Sequence, residues 1–404
     1  MLRNSRFRSS LHQAELFIRN NQFAELSRFL SSIRKIDPSV TEDDWHKIVD
    51  RVIKDDSALV VAGPSLLIST SSMNYSLSSE QKSVISNSLS RSFSHMSQFD
   101  QIVTLIGVSQ LGIRTPEMIS VLSDFLSQQS DSIPEKLIPS ILLANANLAI
   151  NNQRAWGTLI ARVPIESLAA HELVNVCLAI ATSRTFPISF IERVVNTAST
   201  SAIGSAQDAL TLCHSLTCLE VFHTDLFRSL LDQLSREQNF DSDSIKLVKQ
   251  IILSVVIDVK AKAIVESIAP TVWHRFDKLI DWTVPEPLRV HGSLVAEIQG
   301  MISEESESVK FEVTSVPRSI SEWTSEDAKT VAMDRFYISD IVGCPGNTFI
   351  HIDDETFADC ADGPIDPYLQ IKHAQIRECG YQLVWIREHE WDDHARERVG
   401  DLLK

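Results

Sequence analysis

From about residue 10 to about residue 260, apolar side chains recur at three- and four-residue steps and glycine is sparse. That spacing places the apolar positions on one face of a 3.6-residue turn, so the stretch predicts helices almost throughout. Thr41, followed by Asp44 and Trp45, predicts an N-cap that opens a helix carrying Trp45, Ile48, Val49, Val52 and Ile53. The Ser-rich stretch 69–97 holds an amphipathic segment around Val84, Ile85 and Leu89, and is expected to be the least orderly part.

Beyond residue 97 the pattern repeats. QIVTLIGVSQLGI (101–113), LIPSILLANANLAI (137–150), LVNVCLAIATSR (173–184) and ALTLCHSLTCLEV (209–221) align so that Leu111, Leu148, Ser183 and Leu219 stand 37, 35 and 36 residues apart. A second helix follows each, and Leu122, Leu159, Val194 and Leu230 keep the same three steps. Two helix positions sharing one period predict stacked helical hairpins of roughly 36 residues, an α-solenoid. Thr115-Pro116 supplies an N-cap with proline at the first helical position, and Pro164 and Pro187 punctuate apolar segments. The first helices are apolar nearly all round, so they are expected to form the buried layer, whereas Leu226, Leu230 and Leu234 make a one-sided stripe.

After residue 260 the helical pattern loosens through Ile264, Ile268, Trp273, Phe276 and Ile280, with a further helix expected around Leu294–Met301. Ser303–Ser308 is an acidic linker candidate. Then the period changes to two: VKFEVTSV (309–316), TFIHI (348–352) and YQLVWI (381–386) read as strands. YLQIKHAQIREC (368–379) and the terminal WDDHARERVGDLLK read as helices. The expected layout is therefore a segment 1–14, a helical repeat array over 15–302, a linker over 303–308 and a small α/β domain over 309–404 with its core at 347–404. The fold class is mainly α.

Charge complicates any reading that involves nucleic acid. The net charge is −16, and residues 347–404 hold thirteen acids against six Lys and Arg. Phosphate binding draws on cations, so tight RNA binding by that C-terminal segment alone is disfavoured. The first fourteen residues run the other way: Arg3, Arg6 and Arg8 stand among serines with no acid before Glu15, the composition of a mitochondrial presequence. The six cysteines form no CxxC pair, which fits a reducing compartment. No apolar run is long enough to span a bilayer, so no membrane insertion is expected. No phosphate-cradling glycine loop, Gly-x-Ser-x-Gly elbow or His-Glu-x-x-His pair occurs, and no cofactor is implied.

Residues 347–404 carry a recognisable order: the strand Phe349-Ile350-His351-Ile352-Asp353, a polar loop, Lys372 within LQIKHAQIREC, Gly380-Tyr381, a second strand, and Trp391 in REHEW. This order resembles the RAP domain of organellar RNA-processing proteins, a family that includes FAST-kinase-like chains in which such a domain closes an array of degenerate helical repeats. The resemblance implies a restriction-endonuclease-like fold in the C-terminal domain. It implies a mitochondrial matrix protein that binds RNA, ribosomal or messenger, for processing, stability or ribosome function without catalysis. A structural or assembly subunit of a mitochondrial complex such as the mitoribosome, with ribosomal or other protein partners, is the alternative. A metal-dependent endoribonuclease is the third reading.

Restriction-type nucleases hold a divalent metal with strand-end acids and a lysine. By position, Asp353, Asp354 and Lys372 are the catalytic candidates. The chain departs from the pattern, with His351 where an acid is expected and Asp354-Glu355 where glycine and proline are expected. An acidic loop beside a helix-surface lysine is the plainer reading. Lys372, His373, Arg377, Tyr381, Arg387 and Trp391 are the RNA-binding candidates, through phosphate contact or base stacking. Trp385 alternates with Leu383 and reads equally well as core. Gln110, Asn145, Asn147 and Ser183 are candidate base-reading positions in the repeats. His389, Asp392, Asp393 and His394 read as a solvated helix start, not a metal site. Cys213, His214 and Cys218 read as core and surface positions without zinc.

Overall fold

The computed structural model describes residues 2–36, 40–73, 75–150, 152–183, 187–282, 319–337, 348–353 and 367–387, together with Trp391, Asp392 and Arg396. The chain is mainly helical and divides into two compact units, Met1–Pro164 and Ile165–Lys404.

The first unit holds α1 (Leu2–Arg19), α2 (Phe23–Ile36), α3 (Glu42–Ile53), α4 (Asp56–Ser72), α5 (Ser79–Ser92), α6 (Gln98–Gln110), α7 (Pro116–Gln129), α8 (Ile138–Asn147) and α9 (Gln153–Arg162). Helices α2, α4, α6 and α8 pack in succession, and so do α3, α5, α7 and α9. The apolar pattern explains this layering. Leu59, Leu66 and Leu67 of α4 and Ile102, Leu105 and Val108 of α6 are all buried. The approach of α4 to α6 is close enough that a Cβ on Gly107 would stand 2.6 Å from that of Leu67, so the position requires glycine. Thr41 and Asp44 form the expected capping box, and the Thr115 hydroxyl accepts from Met118 N with Pro116 at the first turn.

Helix α1 runs across residues 14–15. One expectation needs correction here. The Ser-rich stretch is not disorderly: α4 and α5 occupy most of it, with Ser86 and Ser88 buried. Several hydroxyls there bond to backbone carbonyls, whereas the buried Ser88 hydroxyl has no hydrogen-bond partner among the described residues. The Ser92 hydroxyl donates to Ser88 O and that of Ser69 reaches Leu30 O at 2.9 Å.

The second unit holds α10 (Ala170–Ser183), α11 (Ile188–Thr200), α12 (Ala206–Cys218), α13 (Thr224–Ser235), α14 (Ser242–Ile257), α15 (Lys262–Ser267), α16 (Pro270–Leu279) and α17 (Ser325–Val331). A π turn (Ala332–Phe336) follows, then β1 (Thr348–Asp353), α18 (Pro367–Glu378) and β2 (Gln382–Arg387). Helices α10, α12 and α14 pack in succession, and α18 lies against both α12 and α14. The strands pair in parallel, with Thr348 opposite Gln382 through to Asp353 opposite Arg387. Parallel pairing requires a crossover, and α18 lies between the strands in the chain. The helix expected at 294–301, the linker 303–308, the strand 309–316 and most of the terminal helix lie outside the described residues.

One local geometry recurs. Gly112, Ala149 and Glu220 all adopt positive φ, at +61°, +58° and +55°. In each case the following amide closes a six-residue bond to the preceding helix, Ile113 to Val108 O, Ile150 to Asn145 O and Val221 to Leu216 O. This is the Schellman termination, which satisfies the last carbonyls of a helix. Gly380, at φ +84°, ends α18 in the same way, with Tyr381 N on Ile376 O.

Candidate functional site

Helix α18 carries the densest group of sequence-selected residues, and three of its faces make different contacts. The first docks on the helical layer through amides. Gln375 is buried; its Nε2 donates to Gln250 O at 2.9 Å and to Ser254 Oγ at 2.6 Å, and its Oε1 accepts from the Tyr337 hydroxyl. Gln250 Nε2 donates to Tyr337 Oη and to Tyr368 O, both at 3.0 Å, and its Oε1 lies 2.9 Å from His214 Nε2. Cys218 Sγ stands 3.3 Å from Gln370 Oε1. The apolar part of this contact is small: Ala181, Cys218 and Ile371 cluster together, with Leu219 against them.

A second face holds Lys372. Its side chain is buried, 3% exposed, and Nζ lies 5.6 Å from the ring centre of Tyr337 and 6.0 Å from that of Phe349. A second buried lysine, Lys249 of α14, sits in like manner 5.3 Å from Phe336 and 5.7 Å from Trp282. The π turn ends on two consecutive aromatic residues, so one short segment covers both ammonium groups. Burial pushes the Lys249 ammonium below its ordinary value, opposed by Asp281.

The third face meets the sheet. His351 and Trp385 are register partners across β1 and β2, and His373 packs edge-on against both, with ring centres 5.3 Å and 5.1 Å away. His373 is 4% exposed and its Nε2 has no hydrogen-bond partner among the described residues. Burial first, then His351, Lys372 and Arg377, hold its pKa down at about 3, so the ring is neutral.

The structure therefore turns Lys372 and His373 away from solvent. Arg377 is exposed, and Tyr381 and Trp391 are half-buried. For Asp353 and Arg387 only the backbone, at the paired strand ends, is described. Asp354 lies outside the described residues, as do His389, Asp393 and His394. Among the repeat positions, Gln110 is exposed, Asn147 and Ser183 are half-buried and Asn145 is fully enclosed. Cys213, His214 and Cys218 are all buried, a correction to the core-and-surface expectation. Neighbouring elements enclose α12 on several sides, so five-residue spacing does not separate an inner from an outer face. Burial also raises the Cys177 thiol to about 12.

The network of Gln250, Gln375, Tyr337 and His214 is the part that reading the sequence missed. One signal was present: His214 and Gln250 are 36 residues apart, the period expected from the sequence, and both lie among apolar neighbours. At the C-terminal ends of α12, α14 and α18, the carboxylates Glu220, Asp258 and Glu378 border a small cleft over Phe222, Ile371 and Ala374. Burial, then Asp258 and Glu220, raise the Glu378 pKa.

The two units differ in charge. Residues 1–164 hold 16 Lys and Arg against 15 Asp and Glu, whereas residues 165–404 hold 21 against 38. In comparison with known proteins, no family model matches this chain and no curated protein does.

Proposed function

We propose that this chain is a non-catalytic, RNA-associated α-solenoid of the mitochondrial matrix, closed by a RAP-like module that docks on the last hairpins. The spacing of the left-handed helix ends at residues 112, 149 and 220, which is 37 and 71 residues, carries this reading. It matches the 36-residue period, and hairpins that stack at a fixed period offer an extended surface for a long ligand. The parallel β1–α18–β2 unit agrees with the resemblance to RAP domains. The Arg-rich start supports a matrix address. Lys372 argues against nuclease chemistry, because a lysine enclosed by Tyr337 and Phe349 does not face solvent where a phosphate would lie.

The test is direct. Purified full-length protein is titrated against a fluorescein-labelled single-stranded RNA at several salt concentrations. Binding that weakens steeply with salt supports the reading. No binding at 50 mM salt removes it and favours the second reading, an assembly subunit that holds basic proteins, for which the acidic excess of residues 165–404 speaks. No Mg²⁺- or Mn²⁺-dependent RNA cleavage is expected, and none that Asp353→Ala abolishes.

A further inference from the structure

The RAP-like module is the part that the resemblance assigns to RNA, yet most of the cations among the described residues of its unit are paired or buried. In the second unit Arg193 pairs with Glu166, Arg228 with Asp225, and Arg236 and Arg275 both with Asp232. Lys246, Lys260, Lys262 and Lys329 face Asp243, Glu220, Glu266 and Glu326. Lys249 and Lys372 are buried under aromatic rings. Lys278 and Arg377 are exposed without an ion pair among the described residues. A polyanion approaching the described cations of this unit meets existing ion pairs, and the unit as a whole carries a net charge of −17, from 21 cations and 38 acids.

The first unit is different. The connections α4–α5, α6–α7 and α8–α9 are consecutive hairpin tips, and because α4, α6 and α8 pack in succession these tips line one edge. Lys82 stands on the first tip, and its Nζ reaches within 3.9 Å of a Cβ placed on Gly112, on the second. Arg114, also on the second, donates to Asn147 O, at the foot of the third. Arg154 is exposed on the third tip, and neither it nor Lys82 has an ion pair among the described residues. The acids Glu80 and Glu117 on this edge lie in the first turns of α5 and α7, where the helix dipole accounts for them. The dipole does not favour Lys82 or Arg154, which also stand near helix starts. The corresponding ends in the second unit carry Glu220, Asp258 and Glu378.

We infer that the phosphate-contacting surface of this protein is the hairpin-tip edge of residues 1–164, with Lys82 and Arg154 as its contacts, and not the unit that contains the RAP-like module. This rests on the RNA-associated reading proposed above.

The test uses the full-length protein and a fluorescein-labelled 30-nucleotide oligouridine, followed by anisotropy between 50 and 200 mM salt. One variant is Lys82→Glu/Arg154→Glu; Arg114 is left in place because it caps α8. The comparison variant, Lys278→Glu/Arg377→Glu, changes charge equally and removes two exposed cations of the other unit that form no ion pair among the described residues. Loss of two phosphate contacts lowers affinity roughly 25-fold at 0.1 M salt and flattens the salt dependence by about 1.4 in logarithmic slope. That outcome is expected for the first variant, with the second within about twofold of wild type. Equal loss in both variants, or loss only in the second, overturns the inference while leaving RNA association standing. Wild-type protein that fails to bind overturns the RNA reading itself. Hydrogen-exchange profiles matching wild type show that each variant is folded.

Discussion

Replacing Gln375 by leucine tests what holds the C-terminal module on the helical layer. The side chain makes three hydrogen bonds in a buried position, to Gln250 O, Ser254 Oγ and the Tyr337 hydroxyl. Leucine is close in volume, so the cost lies in hydrogen bonding. The Gln250 carbonyl belongs to the body of α14 and Ser254 can turn its hydroxyl to a helix carbonyl, so neither loses much. The Tyr337 proton loses its Gln375 acceptor inside the interface. A buried donor deprived of its partner costs about 1–3 kcal/mol, and the exchanged amide bonds add about 1 kcal/mol. We expect Gln375→Leu to destabilise the docking of α18 by about 2–4 kcal/mol. Tyr337→Phe alone removes a donor and an acceptor together, and Gln250 keeps Tyr368 O, so about 1 kcal/mol is expected. In the double variant the deprived donor no longer exists. The sum of the single effects should then exceed the double effect by about 1–2 kcal/mol. Hydrogen exchange read on peptides covering α18 and α14 measures this locally. Strict additivity, or a Gln375→Leu effect under about 0.5 kcal/mol, would refute the assignment of the network as the docking element.

Three further outcomes follow from particular residues. His373 is neutral in the fold with its pKa held at about 3, whereas unfolded histidine titrates near 6.5; its contribution is therefore complete above pH 6.5 and is lost as pH falls toward 3. At pH 5 the module should be weaker by about 2 kcal/mol on this account, and His373→Phe should flatten the pH dependence of α18 exchange. Gly107→Ala would gain about 1 kcal/mol in helix propensity but forces a contact at 2.6 Å with Leu67; overpacking of about 1–3 kcal/mol should win, and a lower urea midpoint for the first unit checks it. Ala149→Gly and Glu220→Gly should each stabilise their helix ends by about 1 kcal/mol, because only glycine occupies positive φ without strain; an unchanged midpoint would contradict the geometry.

The hairpin elements were legible because their information is local. The Thr41 and Thr115 caps, the apolar stripe of α13 and the spacing of Leu111, Leu148 and Leu219 depend on residues a few positions apart or on one repeated period. The strand alternation at 348–352 and 381–386 was equally local, and both strands formed within a residue of those limits. Burial of polar side chains was not legible. A lysine on a helix with mixed neighbours reads as surface, and nothing near Lys372 in the chain announces that Tyr337 and Phe349 will enclose it. The division at Pro164 was also hidden, since the apolar pattern runs on through it.

The sequence by itself determined the helical character of the chain, several helix starts and the two strands, since each follows from neighbouring side chains competing for the same backbone groups and the same apolar face. Tertiary structure alone decided that α18 would dock through Gln375 onto Gln250, 125 residues away, and that Lys372 and His373 would point inward. Such contacts are selected by whichever distant group satisfies a buried donor or ring. Periodicity carries no record of that choice.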